Sequence, residues 1–78
     1  MVVIRVLLQV KPEHQAAFLA YIARSAAQSR EFDGCMNFGY YASVDDDSYF
    51  LLHEEWASQA QFDAYKSSET FTEIGQNI

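Results

Sequence analysis

One cysteine, one proline and three glycines in 78 residues leave this chain few of the usual covalent or conformational constraints. Cys35 has no partner within the chain, so an internal disulfide is excluded. No Cys/His cluster has the spacing of a zinc site, and no metal is expected. Basic residues are scarce too, with five Lys and Arg against eleven Asp and Glu, a net charge of -6. That balance argues against a nucleic-acid partner, whose phosphates require clustered Lys and Arg. Long hydrophobic runs are also missing. Val2 to Val10 is interrupted by Arg5 and Gln9 and is far shorter than the roughly 20 residues of a membrane span. It also lacks the small-residue cleavage site of a signal peptide, so no membrane partner and a cytoplasmic location are expected.

What is present is apolar and aromatic. Half of the residues are hydrophobic and 15% aromatic, which places the chain among folded globular proteins. The length allows one domain, spanning 1–78, with a small core. Domains of this size are marginal alone and are commonly stabilised by disulfides, metals or a partner subunit. With the first two excluded, a homodimer is expected.

The central stretch is Tyr49-Phe50-Leu51-Leu52-His53-Glu54-Glu55-Trp56-Ala57-Ser58. As a strand it alternates faces, with Phe50, Leu52, Glu54 and Trp56 on one side and Tyr49, Leu51, His53 and Glu55 on the other. A carboxylate among Phe, Leu and Trp must be paired, hydrogen-bonded or protonated. Residues 2–10 read as another strand, with Val2, Ile4, Val6, Leu8 and Val10 on an apolar face. Lys11-Pro12-Glu13 starts a helix over about 13–30, where Phe18, Tyr21, Ile22 and Ser25 form a narrow stripe. Asp33-Gly34 turns into a strand over 35–43, with Met36, Phe38, Tyr40 and Ala42 expected on one face. Residues 44–48 form a polar hairpin loop. Ser58-x-x-Gln61 is a capping box for a helix burying Phe62 and Tyr65. Ser67, Ser68 and Thr70 interrupt that pattern, and Phe71 to Ile74 starts another short helix, stopped by Gly75.

Strand, helix, strand, strand, helix is most of a ferredoxin-like split βαβ, an α+β fold. Only Gly75 to Ile78 follow the last helical pattern, so the fourth strand is expected to be short or missing, by truncation or by nature. The first strand would then have a bare edge that another subunit could cover.

Several segments together resemble the antibiotic biosynthesis monooxygenase family, which includes quinol monooxygenases. They are Val10-Lys11-Pro12-Glu13, the link from Ser29-Arg30-Glu31 to Gly34-Cys35, the hairpin Asp45 to Ser48, and Phe50 to Ser58 with its Glu54-x-Trp56 element. The resemblance implies a dimeric α+β barrel, two sheets packed face to face, with a pocket between sheet and helices in each subunit. It also implies oxidation of a small aromatic phenol or quinol by molecular oxygen, with no metal or flavin cofactor. An electron-rich phenol that loses its proton can itself pass an electron to oxygen. The protein need supply only a base, a dry pocket and hydrogen bonds.

Glu54 and Trp56 carry over from the family pattern, and Tyr65 stands where relatives often place a helical His. Thr70 stands where a second His is common, and Arg5 replaces the Asn of haem-degrading relatives. Glu54 is expected either as a general base or as a paired buried carboxylate held by Arg5, a Tyr hydroxyl or a backbone donor. Trp56 either lines the pocket or simply packs. Tyr65 either offers a hydroxyl donor to the pocket or fills the core. His53 is expected at the sheet-sheet interface, His14 in solvent, Arg5 as a bridge to a partner subunit or a clamp on an anionic substrate, and Asp45-Asp46-Asp47 as a solvated turn. Cys35 has no nearby base and is not expected to act as a nucleophile. The alternative to an enzyme is a non-catalytic dimeric module that binds a small ligand, which the missing helical His residues favour.

Overall fold

The structure, a computed structural model, describes the backbone of residues 1–77 and the side chains of residues 1–73. In chain order it contains β1 (Val2–Gln9), a 3₁₀ turn (Pro12–His14), α1 (Gln15–Arg30), β2 (Cys35–Ala42), β3 (Tyr49–Trp56), α2 (Gln59–Lys66) and α3 (Glu69–Asn77). The strands form one antiparallel sheet in the order β1-β3-β2. This is the expected ferredoxin-like α+β arrangement, with three strands among the described residues and β1 at an edge.

β3 is central because both of its edges are paired and one of its faces is buried. Its burial alternates strictly, with Phe50, Leu52, Glu54 and Trp56 buried under the helices. The helix-facing core has two parts. Phe18 and Ile22 of α1 meet Phe50 and Leu52, while Ala26, Phe38, Trp56, Phe62 and Tyr65 form the other cluster. The buried positions of α1, Phe18, Ile22, Ser25, Ala26 and Ser29, recur every three or four residues. Small residues at 25, 26 and 29 let the helix approach the aromatic cluster closely.

Two short devices lock this layer to the sheet. Gly34 has φ +85°, a conformation that other residues rarely adopt. Its carbonyl accepts from Ala57 N at 2.8 Å, and a Cβ there would collide with the Gln61 side chain. Ser58 caps α2 by accepting from Gln61 N at 3.2 Å. Gln61 Nε2 then donates to Asp33 Oδ2 at 3.2 Å, so the start of α2 is tied to the turn before β2.

The structure departs from the expected pattern in three places. Met36 is 61% exposed, not part of the core face. A β-bulge between Cys35 and Asn37 sets Cys35 opposite Trp56, and the half-buried Cys35 packs against the core in its place. Gly75 does not stop the last helix, because α3 runs to Asn77. A helical Gly costs only about 1 kcal/mol relative to Ala and ends a helix only where it turns left-handed. The first helical turn is 3₁₀, so α1 begins at Gln15 and not at 13. The expectation for the last residue, Ile78, lies outside the described residues. In the hairpin, Asp46 Oδ1 accepts from Ser48 N at 2.9 Å and from Ser48 Oγ at 2.7 Å. This Asx turn holds the carboxyl below its usual range through the Ser48 hydroxyl and amide.

Candidate functional site

Glu54 and Trp56 lie two residues apart on β3 and therefore share the helix-facing side. The register sets Glu54 between Ile4 of β1 and Phe38 of β2. In these apolar surroundings its carboxylate is 6% exposed, and its one hydrogen-bond donor among the described residues is Trp56 Nε1, at 3.0 Å to Oε1. Burial raises the Glu54 pKa above 4.5, partly offset by the Trp56 hydrogen bond and by the His53 charge. Arg5 is not the partner. It lies on the opposite face of β1, opposite His53 in the register, and its Nε donates to His53 Nδ1 at 3.4 Å.

Trp56 and Tyr65 are fully buried and nearly stacked, with ring centroids 4.6 Å apart and an interplanar angle of 31°. Phe32 and Phe71 meet the edge of Tyr65 at 5.1 and 5.6 Å. The Tyr65 hydroxyl shares a 2.9 Å hydrogen bond with the buried Ser29 Oγ. Its pKa is pushed up to about 12, chiefly by burial, with the Ser29 bond opposing and the charges of Glu54, Cys35 and Tyr21 adding. Tyr65 is thus a neutral hydroxyl already engaged with Ser29. Burial, and then the Glu54 charge, also raise the Cys35 thiol, while the Asn37 backbone and Arg30 lower it. A thiol held protonated in this way is a poor nucleophile.

Glu54, Trp56 and Tyr65 are therefore brought together as one buried group. A cavity of about 530 Å³ lies elsewhere on the same side of the sheet. Leu8 and Val10 wall it on the strand side and Ala17, Phe18 and Tyr21 on α1, with Lys11 and His14 also lining it. Glu54, Trp56 and Tyr65 are not among its lining residues. Tyr21 links the two regions, since it lines the cavity and also packs against the cluster holding Trp56 and Tyr65. Its hydroxyl oxygen is buried and has no hydrogen-bond partner among the described residues. A buried hydroxyl left in that state costs about 1–3 kcal/mol, and a molecule in the cavity reaches this atom only if the packing around Tyr21 shifts.

Sequence reasoning did not single out Ser29 or the Tyr21 hydroxyl. Ser29 had a signal, a polar residue continuing the stripe from Phe18 through Ser25. The Tyr21 hydroxyl had none, because whether a Tyr oxygen is partnered depends on what packs over it. His14 is exposed, as expected, yet it also borders the cavity. The acidic loop residues are exposed, and no group of three possible metal ligands occurs among the described residues.

On the outer face of the sheet, Arg5, His53, Glu55 and Asn37 form a row across all three strands. His53 Nε2 and Glu55 Oε2 are 2.8 Å apart, and Asn37 Nδ2 donates to the same oxygen at 3.3 Å. A proton on His53 Nε2 satisfies both its contacts, leaving Nδ1 to accept from Arg5. Glu55 is held below the usual carboxylate range, first by its His53 hydrogen bond and then by Asn37. Leu7, Val3 and Tyr41 stand around this row at 69%, 44% and 53% exposure.

The family profile for antibiotic biosynthesis monooxygenases matches residues 1–76, and the chain belongs to that family. Solved structures agree with the fold. A Deinococcus radiodurans protein assigned to antibiotic biosynthesis monooxygenases superimposes with a TM-score of 0.94 at 21% identity, covering 99% of this chain and 76% of its own. A conserved protein from Methanosarcina mazei reaches 0.86 at 28% identity, covering 97% of this chain and 77% of its own. One from Nitrosomonas europaea, likewise assigned to the family, reaches 0.84 at 27% identity, covering 90% and 67%. No curated protein matches the chain.

The Tyr65–Ser29 bond yields a direct expectation. Tyr65→Phe leaves the buried Ser29 hydroxyl unpaired and should cost about 1–2 kcal/mol. Urea unfolding of the variant and of Tyr65→Phe/Ser29→Ala checks it, because the double variant should recover part of the loss. If the single variant is as stable as the parent, the bond contributes nothing.

Proposed function

We propose that this domain is a cofactor-independent monooxygenase that oxidises a small aromatic phenol or quinol with molecular oxygen. The observation that carries the proposal is the apolar cavity bounded on α1 by Phe18 and Tyr21, with Tyr21 also packing against the cluster that holds Trp56, the hydrogen-bond donor to Glu54. A small aromatic ring fits the volume, and Phe18 and Tyr21 offer it ring contacts.

In the proposed reaction the phenol gives up its proton and the resulting anion passes one electron to oxygen. Recombination forms a carbon–peroxide bond. Loss of water from the hydroperoxide leaves one oxygen atom as a new carbonyl and releases the other in water. The substrate supplies all four electrons, so no external reductant is needed. Glu54 is the proposed proton acceptor. Its carboxylate binds a proton more readily than an exposed one, while the Trp56 N–H opposes that shift. Tyr21 orients the substrate oxygen, and Trp56 and Tyr65 exclude water around the base.

Oxygen uptake with hydroquinones and anthrone-like phenols tests the proposal. Uptake above the spontaneous rate that saturates with substrate is the expected result. Saturable binding without uptake would overturn it in favour of a ligand-binding module. One observation favours that second reading: Glu54, Trp56 and Tyr65 are almost closed to solvent, so substrate reaches the base only if the packing around Tyr21 opens.

The same reading includes a homodimer formed through the outer sheet face. Leu7, Val3 and Tyr41 are large apolar groups on an otherwise acidic protein. The row from Arg5 through His53 to Glu55 ends in opposite charges, so a two-fold copy can meet it with complementary sign. Leu7→Lys puts two cations into that contact and should shift the mass measured by light scattering from dimer to monomer. A parent protein that is monomeric at micromolar concentration would refute the dimer.

A further inference from the structure

We propose that the cavity between β1 and α1 is selective for aromatic ligands that carry an anionic substituent, a carboxylate above all, oriented with the ring inward and the anion at the rim. This rests on the reading of that cavity as the substrate site and adds the charge class of the ligand. His14, Ala17, Phe18 and Tyr21 follow one another at i, i+3, i+4 and i+7, so they line one face of α1 and its leading turn. The stripe is graded. Phe18 is buried, Tyr21 is half-buried with its hydroxyl oxygen sealed from water, and His14 is exposed. Lys11 lines the same cavity and is also exposed. The inner end therefore offers aromatic rings, and the outer end offers an ammonium and an imidazole.

The two ends are compatible with one small molecule. His14 and Tyr21 are seven residues apart, about 10 Å along the helix axis, and both side chains reach into the space between. A single ring with oxygens at opposite ends spans most of that distance. The placement of charge is selective against the background of the whole protein. The chain has eleven acidic residues and five basic ones, yet among the described residues no Asp or Glu lines this cavity, while Lys11 and His14 do. Neither side chain has an ion-pair partner among the described residues. In a protein of net charge -6, an unopposed cation at the mouth is what lets an anionic ligand approach and stay.

The test is binding alone, read from quenching of Tyr and Trp fluorescence or by calorimetry, with 4-hydroxybenzoate, hydroquinone and 4-hydroxybenzamide as probes. The expected result is that 4-hydroxybenzoate binds about tenfold tighter than either neutral probe at low salt, with the advantage shrinking as salt is added. Lys11→Gln and His14→Gln should each reduce that preference. Both positions are exposed, so the variants should keep the parent melting temperature. Equal affinity for the three probes, a preference that survives in Lys11→Gln/His14→Gln, or no binding of 4-hydroxybenzoate would each overturn the inference. Because no turnover is read, this outcome is separable from that of the oxygenase. Oxygen uptake with neutral quinols and no charge preference would leave the activity standing and remove the selectivity.

Discussion

Glu54→Gln is expected to lower oxygen uptake by two to four orders of magnitude, the usual contribution of a positioned general base, while the protein stays folded. The fold should survive because the amide keeps an oxygen that can accept from Trp56 Nε1, now 3.0 Å from Oε1. It should even be favoured at neutral pH, since Gln removes a buried charge whose one donor among the described side chains is that indole. Loss of turnover with retained stability separates a catalytic carboxylate from a merely structural one. If uptake is unchanged in Glu54→Gln, the base lies elsewhere and Glu54 is a core residue.

Trp56→Phe carries the second large effect, on stability and its pH dependence. The indole is fully buried between Phe62 and Tyr65, with centroids at 5.9 and 4.6 Å. Replacing it leaves a void and strips the buried carboxylate of its donor, a combined cost of about 3 kcal/mol. A chain of this length has a total stability of roughly 4–12 kcal/mol, so the variant should lose about a quarter to three quarters of it. The pH dependence follows from the direction of the Glu54 shift. Because burial raises its folded pKa above 4.5, the native state holds this proton more tightly than the unfolded chain does. This group's effect on stability is most favourable below pH 4.5 and worsens as pH rises through the window between 4.5 and the folded pKa. Removing the Trp56 hydrogen bond, which lowers that pKa, widens the window and steepens the loss. Asp46, Glu55 and Asp63 are shifted down and act oppositely, losing stability as pH falls below the usual carboxylate range. Urea unfolding between pH 4 and 8, compared for Trp56→Phe and Trp56→Phe/Glu54→Gln, isolates the Glu54 contribution. If both variants have the same pH profile, the Glu54 carboxyl contributes no pH dependence and its folded-state shift is absent.

The activity and stability effects share one source. A carboxylate pressed among Ile4, Phe38 and Trp56 is costly to the fold for the same reason that it would be a better base, since burial destabilises its charged form. The Trp56 hydrogen bond moderates both.

Much of this was legible from residue types and spacing alone. The period-two alternation of Tyr49 to Trp56 determined which residues face the helices, because a strand has only two sides. It thereby set Glu54 beside Trp56 and His53 opposite them. Ser58-x-x-Gln61 located the start of α2, because a hydroxyl that caps amides acts over four residues of chain. The order of elements and the family signature were likewise local, and the sheet followed from them.

Tertiary structure decided the rest, wherever an outcome depended on contacts distant in sequence. A single bulge at Cys35–Asn37 turned Met36 outward, and no propensity in the strand predicts where a partner strand will skip a residue. The partner of Glu54 is an indole two residues away and not Arg5, because the pleat sends neighbouring side chains apart. Ser29 meets Tyr65 across 36 residues of chain, and the Tyr21 hydroxyl is left without a partner among the described residues by what packs over it. The cavity itself is a gap between β1 and α1. Its existence and its rim of Lys11 and His14 come from how far the helix stands from the strand, a distance that no local pattern encodes.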